Sequence, residues 1–280
     1  MYKKYEDEDG IFFEFQEDLE QFLLRYGVSS QHISDVKVKL LQDSRSFYYD
    51  YEKSLEEIKL VPLDKVIGTS RATVGFSVFD NVRMMRQGER EPSRFTRCLS
   101  FLKNMTLTEL KESYSQLYYP VVMTYYSDED CYFLTSDGNH RTLTAMLLGA
   151  DYIKAIVSIA HCNYEKKSKF EMTNEFYKKY NIVDIFQFNG KYEITFKVNG
   201  MIYSLYGFDL AKSNESCYEI IDRLSYEIDK YRKQEKQFTK LPKLLRTVIS
   251  LFPFRSKIIK QYKHMEVLNK TKQKIYLYYF

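Results

Sequence analysis

The sequence predicts an α+β protein in three parts: a helical N-terminal extension, an α/β domain, and a C-terminal β-meander followed by basic helices. Three observations carry that prediction. Between residues 59 and 160, β-branched and aromatic runs alternate with segments of helical spacing, in the order strand, hairpin, tight turn, helix, strand. Asn189-Gly190 and Asn199-Gly200 separate runs of alternating apolar residues, and both turn positions of an Asn-Gly pair accept positive φ. Charge is divided along the chain. Residues 229–274 hold fourteen Lys and Arg against Asp229, Glu235 and Glu266, a net +11, so the remainder carries −7 of the overall +4.

The parts are expected at residues 1–58, 59–162 and 163–280. In the first, residues 11–26 place apolar side chains at helical spacing and Gly27 follows as a C-cap. Residues 48–58 read as a second helix or an extended segment. Residues 59–66 form a short strand leading into Gly68-Thr69-Ser70-Arg71. Residues 92–105 fit a helix with Phe95, Leu99 and Leu102 on one face. Residues 120–126 and 131–135 are strands joined by the turn Ser127-Asp128-Glu129-Asp130, a hairpin whose acidic tip is expected to be solvated. A helix over 142–148 closes at Gly149, and 152–159 is the next strand. Beyond a polar joint at 163–169, a short helix over 171–180 precedes the three-stranded meander at 185–206. Basic amphipathic helices follow over 216–270, the first at 216–237, then 241–252 and 254–269.

The apolar share of 44% and charged share of 29% over 280 residues belong to a folded protein rather than a disordered one. Cys98, Cys131, Cys162 and Cys217 lie far apart with no C-x-x-C pair, so the ligand spacing of a zinc knuckle is missing. Met1-Tyr2-Lys3-Lys4 runs into Glu6-Asp7-Glu8-Asp9, unlike a signal peptide, and no window has the apolar length of a transmembrane helix. The expectation is a cytoplasmic protein. His161 beside Cys162 reads as structural, because neighbours on an extended segment point to opposite faces. His32 and His264 read as isolated surface groups.

Chemistry concentrates at Ser136-Asp137-Gly138-Asn139-His140-Arg141, where a strand hands over to a helix. The start of a helix offers unpaired N–H groups and a partial positive charge, which together favour an anion. Gly138 is expected to let the backbone approach a ligand. Arg141 forks onto phosphate oxygens, and His140 donates a hydrogen bond or exchanges a proton near neutral pH. Asp137 orients His140, holds a metal, or caps the helix. These residue types in this order describe a phosphate site.

The same residues carry a family resemblance. Asp-Gly-x-His-Arg at 137–141, followed by a helix with Ala145 and ended by Gly149-Ala150, resembles the signature of the ParB/sulfiredoxin-like superfamily. Val61-Pro62-Leu63-Asp64-Lys65-Val66 resembles that family's opening strand, and Pro120-Val121-Val122 the strand before its signature hairpin. The resemblance covers residues 59–160 alone. Asn139 stands where sulfiredoxins place their catalytic cysteine, and the Gly-Glu-Arg-Arg of the CTP-binding ParB proteins is replaced by Gly138-Asn139-His140-Arg141. The His-Arg form is closer to ParB-like members that bind ATP or ADP; some phosphorylate a free amino acid and others are described as nucleases.

That resemblance implies a nucleoside phosphate with Mg²⁺ bound at Asp137, Gly138, Asn139, His140 and Arg141. Phosphoryl transfer or nucleotide hydrolysis there rests on positioning and charge neutralisation. His140 is the expected catalytic group, with Asp64 or Asp80 as general base. Arg71 and Arg83 are expected as further phosphate ligands, from location alone. The alternative is a DNA-associated binding module of a mobile element or regulatory system. In that reading the basic C-terminal helices contact nucleic acid phosphates, although an anionic membrane or the acidic N-terminal segment also fits their charge.

Overall fold

The computed structural model describes residues 1–7, 10–85, 91–188, 191–198, 201–209, 216–239 and 273–274. The fold is α+β. The chain divides into two compact units, Met1–Asn163 and Tyr164–Phe280.

The first unit opens with an antiparallel pair, β1 (Tyr2–Asp7) and β2 (Gly10–Phe15), in register from Tyr2 opposite Phe15 to Asp7 opposite Gly10. The helix expected over 11–26 is therefore half strand. Phe13 and Phe15 alternate into the core, and pairing with residues 2–7 decides between two periods that four aromatic and aliphatic residues satisfy equally. Helix α1 (Leu19–Arg25) begins only where Asp18 accepts hydrogen bonds from the Glu20 and Gln21 amides at 2.9 and 3.3 Å. Gly27, at φ +89°, follows α1 as expected of a C-cap.

Helix α2 (Ser30–Val38) starts on a Ser29 cap. Residues 49–62 settle the open choice at 48–58 as strand, β3 (Tyr49–Pro62). A 3-10 turn, Leu63–Lys65, leads into β4 (Val66–Thr69), then α3 (Val78–Arg83) and β5 (Met84–Met85), which adds to β2. Helix α4 (Glu91–Ser100) continues as a 3-10 turn at Phe101–Lys103. Helix α5 (Leu107–Ser115) carries a complete capping box between Thr106 and Glu109. The hairpin is β6 (Val121–Tyr126) and β7 (Cys131–Leu134), followed by α6 (Asn139–Leu148) and β8 (Tyr152–Cys162).

Five of these strands form one mixed sheet in the order β3-β8-β6-β7-β4. β6 runs parallel to β8, and β4 parallel to β7; the other two pairings are antiparallel. One face of the sheet contributes Val61, Val121, Met123, Leu134, Ile153, Ala155 and Val157 to the core. Against them lies α6, buried on nearly every side through Leu143, Ala145, Met146, Leu147 and Leu148. Each of the Val, Ile, Leu and Met side chains contributes about 1.5–3 kcal/mol by leaving water. The same core takes Phe15, Leu19, Phe22, Leu23, Ile33 and Val36 from residues 1–58.

The acidic hairpin tip is exposed at Asp128, Glu129 and Asp130, as expected of a solvated turn, and each of the three also has a partner. Asp128 accepts from the Cys162 amide at 2.9 Å, Glu129 pairs with Arg45 at 3.1 Å, and Asp130 pairs with Lys65 at 2.5 Å. Lys65 and Tyr125 hold the Asp130 carboxyl below the usual range. His161 sits 3.0 Å from the Ser127 hydroxyl through Nδ1. All four cysteines are free thiols.

In the second unit, α7 (Tyr164–Tyr180) starts earlier than the expected 171. It is followed by the antiparallel run β9 (Ile182–Phe188), β10 (Lys191–Val198) and β11 (Met201–Asp209). A further strand, β12 (Gln273–Lys274), pairs with β9. Helix α8 (Cys217–Thr239) turns Cys217, Ile220, Leu224 and Ile228 toward Phe176, Tyr180, Ile185 and Ile194, the core of this unit. The Tyr180 hydroxyl donates to Asp229 at 2.8 Å. Both Asn-Gly turns, the helices expected at 241–252 and 254–269, and His264 lie outside the described residues. No helix among the described residues is long and apolar enough to cross a membrane.

Candidate functional site

The turn at 136–141 lies between the end of β7 and the start of α6, beside the first residues of β6. The Thr135 amide donates to the Val122 carbonyl at 3.1 Å, and the Val122 amide to the Asp137 carbonyl at 3.3 Å, so this segment folds back along β6. Gly138 then adopts φ +107° as the residue before the helix. A Cβ there would stand 2.2 Å from Cγ1 of Val121, which is fully buried. Glycine was expected here for approach to a ligand. The structure gives a different reason: left-handed backbone packed against a core valine.

Because Gly138 has no side chain, no side chain caps α6, and the first intrahelical bond runs from the Thr142 amide to the Gly138 carbonyl at 2.8 Å. The expected ligand Asn139 is a joint instead. Its Oδ1 accepts from the Arg71 amide at 3.2 Å, its Nδ2 donates to the Ser136 carbonyl at 3.0 Å, and it is almost wholly buried. Together with the Ser70 amide on the Leu134 carbonyl at 2.9 Å, it fastens the loop after β4 to the start of α6. Arg71, itself exposed, is thereby held next to the turn.

His140 turns inward. Its ring meets Phe95 of α4 edge-on, with centroids 4.7 Å apart, and the residue is buried. Arg141 is the outward group: Nη2 donates to Asp137 Oδ2 at 3.0 Å and Nη1 to the Tyr119 carbonyl. Asp137 is largely exposed, so its carboxylate is an exchangeable partner for that guanidinium. Burial pushes the nearby Cys98 thiol up in pKa, against the opposing pull of Arg97 and Arg141.

Three expected residues go elsewhere. Asp64 accepts from the Lys65 amide at 2.9 Å and lines a cleft of about 560 Å³ with His32, Lys39, Met146, Gly149 and Tyr152. That cleft is at the C-terminal end of α6, and ten helical residues span about 15 Å, so Asp64 is no base for chemistry at Gly138. Asp80 lies in the first turn of α3, which Ser77 caps: its Oδ2 accepts from the Ser77 hydroxyl at 2.7 Å and its Oδ1 from Arg83 Nε at 3.4 Å. Arg83 also reaches Glu14 at 3.4 Å, which ties α3 to β2 rather than to a ligand. His32, expected on the surface, bonds the Met146 carbonyl through Nε2 at 2.9 Å. Lys39 donates to the Leu63 and Asp64 carbonyls at 2.9 Å each, and burial draws its pKa down.

Sequence reasoning passed over three groups. Tyr118 and Tyr119 are 86% and 72% exposed, with rings 4.7 Å apart and perpendicular, directly beside the carbonyl that holds Arg141. Two adjacent tyrosines before Pro120 were the available signal. Arg97 is carried on α4, two residues beyond Phe95, the residue that meets His140. Asn81 fills the loop that follows Arg71: its Oδ1 accepts from the Thr73 amide at 2.7 Å, and Nδ2 donates to the Thr73, Phe76 and Ser77 carbonyls at 3.2, 3.3 and 2.9 Å.

Among the described residues, no group of three or more His, Cys, Asp or Glu is placed to hold a metal ion. Comparison of the chain with family models, with curated proteins and with solved structures gave no match in any of the three.

Proposed function

We propose that the chain binds a nucleoside phosphate at the start of α6, as a cytoplasmic protein of ParB/sulfiredoxin-like type. One observation carries this reading. The uncapped first turn of α6 stands between Arg141 and the loop of Arg71, beside two exposed tyrosines. A helix start without a side-chain cap favours an anion, and a guanidinium already on an exposed carboxylate exchanges it for phosphate oxygens at little cost. Tyr118 and Tyr119 supply a face on which a base stacks, a contact worth about 1–3 kcal/mol. Mg²⁺ would come with the phosphates, since a bound nucleotide supplies most of its own metal ligands. Phosphoryl transfer or hydrolysis at this turn falls to Asp137 as the carboxylate in place, with His140 behind it as a packing and positioning group.

Thermal melting against ATP, ADP, CTP and GTP with Mg²⁺ tests the reading. A nucleotide at one hundred times its Kd is expected to stabilise the protein by about 2.7 kcal/mol. Arg141→Ala is expected to abolish that shift. Tyr118→Ala with Tyr119→Ala should weaken nucleotides while leaving any response to tripolyphosphate intact. Absence of a shift with all four nucleotides would sink the proposal. The second reading, a DNA-associated module, draws on the +11 charge of residues 229–274. Salt-dependent duplex binding that disappears on truncation after Gln237 would favour it instead.

A further inference from the structure

The first unit leaves one long sheet edge open. Among the described residues, β3 pairs only with β8, so over the regular stretch Glu56–Pro62 one row of N–H and C=O groups faces outward. Such edges are usually blunted by proline, by bulges or by inward-pointing charges. Here the register shift falls between Tyr51 and Glu56 and the proline is the final residue, so 56–61 is regular strand, and the charges it turns to the Val61 face, Glu57 and Lys59, are of opposite sign. On the face away from buried Val61, Ile58 and Leu60 are 65% and 54% exposed. On the other face, Lys59 and Glu57 form an ion pair at 2.6 Å.

We propose that β3 pairs with β3 of a second copy of this chain, antiparallel, joining two five-stranded sheets into one of ten strands. The occupant follows from the charge pattern. In a continuous antiparallel sheet, directly opposed residues share a face, so their numbers share parity and the two-fold axis passes through a residue. An axis at Glu56 or Glu57 opposes two glutamates, and an axis at Lys59 opposes two lysines. An axis at Ile58 stacks Ile58 on its own copy and sets Glu57 of each chain opposite Lys59 of the other, twice. The charged pairs of this stretch are complementary in that register, and Ile58, its most exposed aliphatic residue, meets its own copy, while Leu60 falls opposite Glu56.

Sedimentation velocity of the full chain over a concentration series reads the assembly directly. The expected particle has twice the 33.6 kDa chain mass. Glu57→Lys and Lys59→Glu each replace two attractive pairs with two repulsive ones and should weaken dimerisation by about tenfold. The double variant Glu57→Lys/Lys59→Glu restores both pairs and should restore the dimer. Both positions are solvent-exposed, so circular dichroism should show all three variants folded. A monomer at every concentration reached, a dimer indifferent to the single changes, or a double variant that stays as weak as the singles would each overturn the proposal.

Discussion

Gly138→Ala is expected to lower the stability of the protein by about 2–5 kcal/mol. Two costs combine. An alanine at φ +107° is forced into left-handed backbone, which costs an L-residue about 1–2 kcal/mol or more. Its Cβ would also stand 2.2 Å from Val121 Cγ1 and 2.7 Å from Val121 Cβ, and Val121 is fully buried. Overpacking of that kind adds roughly 1–3 kcal/mol. Gly149→Ala supplies the comparison. Its φ of +77° is also left-handed, but its new neighbour is the His32 ring at 3.1 Å, which can give way. About 1–2 kcal/mol is expected there. Urea denaturation of both variants measures the difference. Equal losses would show that Val121 yields, and that glycine at 138 serves backbone conformation alone. Adding Val121→Ala to Gly138→Ala should recover the steric part and leave the conformational part.

Asn81→Leu is the second large effect, about 2–4 kcal/mol, and it reaches the candidate site from outside it. Leucine matches the volume but satisfies none of the four backbone groups that the amide serves between Thr73 and Ser77. Asn81 is 7% exposed, so water does not freely replace it. The loop it fills begins at Arg71, whose amide is fixed by Asn139. Hydrogen exchange should show the Thr73 amide losing protection. On the reading above, nucleotide affinity should fall too, although Asn81 touches no ligand. A variant within 0.5 kcal/mol of the parent, with Thr73 still protected, would mean the loop holds its shape through packing alone.

What could be read in advance were features with local causes. The hairpin at 121–134, the turn at 136–141, the helix ended by Gly149 and the long helix α8 each follow from periodicity, β-branching or a glycine at a cap, all within a few residues. α2, α3 and α5 were passed over although Ser29, Ser77 with Asp80, and Thr106 with Glu109 announce their starts. Those signals are as local as the others, and their short apolar faces hid them.

The sequence by itself determined that a strand meets a helix at Asp137-Gly138-Asn139-His140-Arg141. The tertiary structure decided which of these residues faces outward and what accompanies them. Gly138 answers to Val121, seventeen positions earlier, and Asn139 to Arg71, sixty-eight positions earlier. His140 is covered by Phe95, and Asp64, next to the opening strand, is carried to the far end of α6. Propensity and capping act through backbone geometry over one or two turns. Packing and sheet register join residues at any separation, and no local pattern encodes which pair will meet.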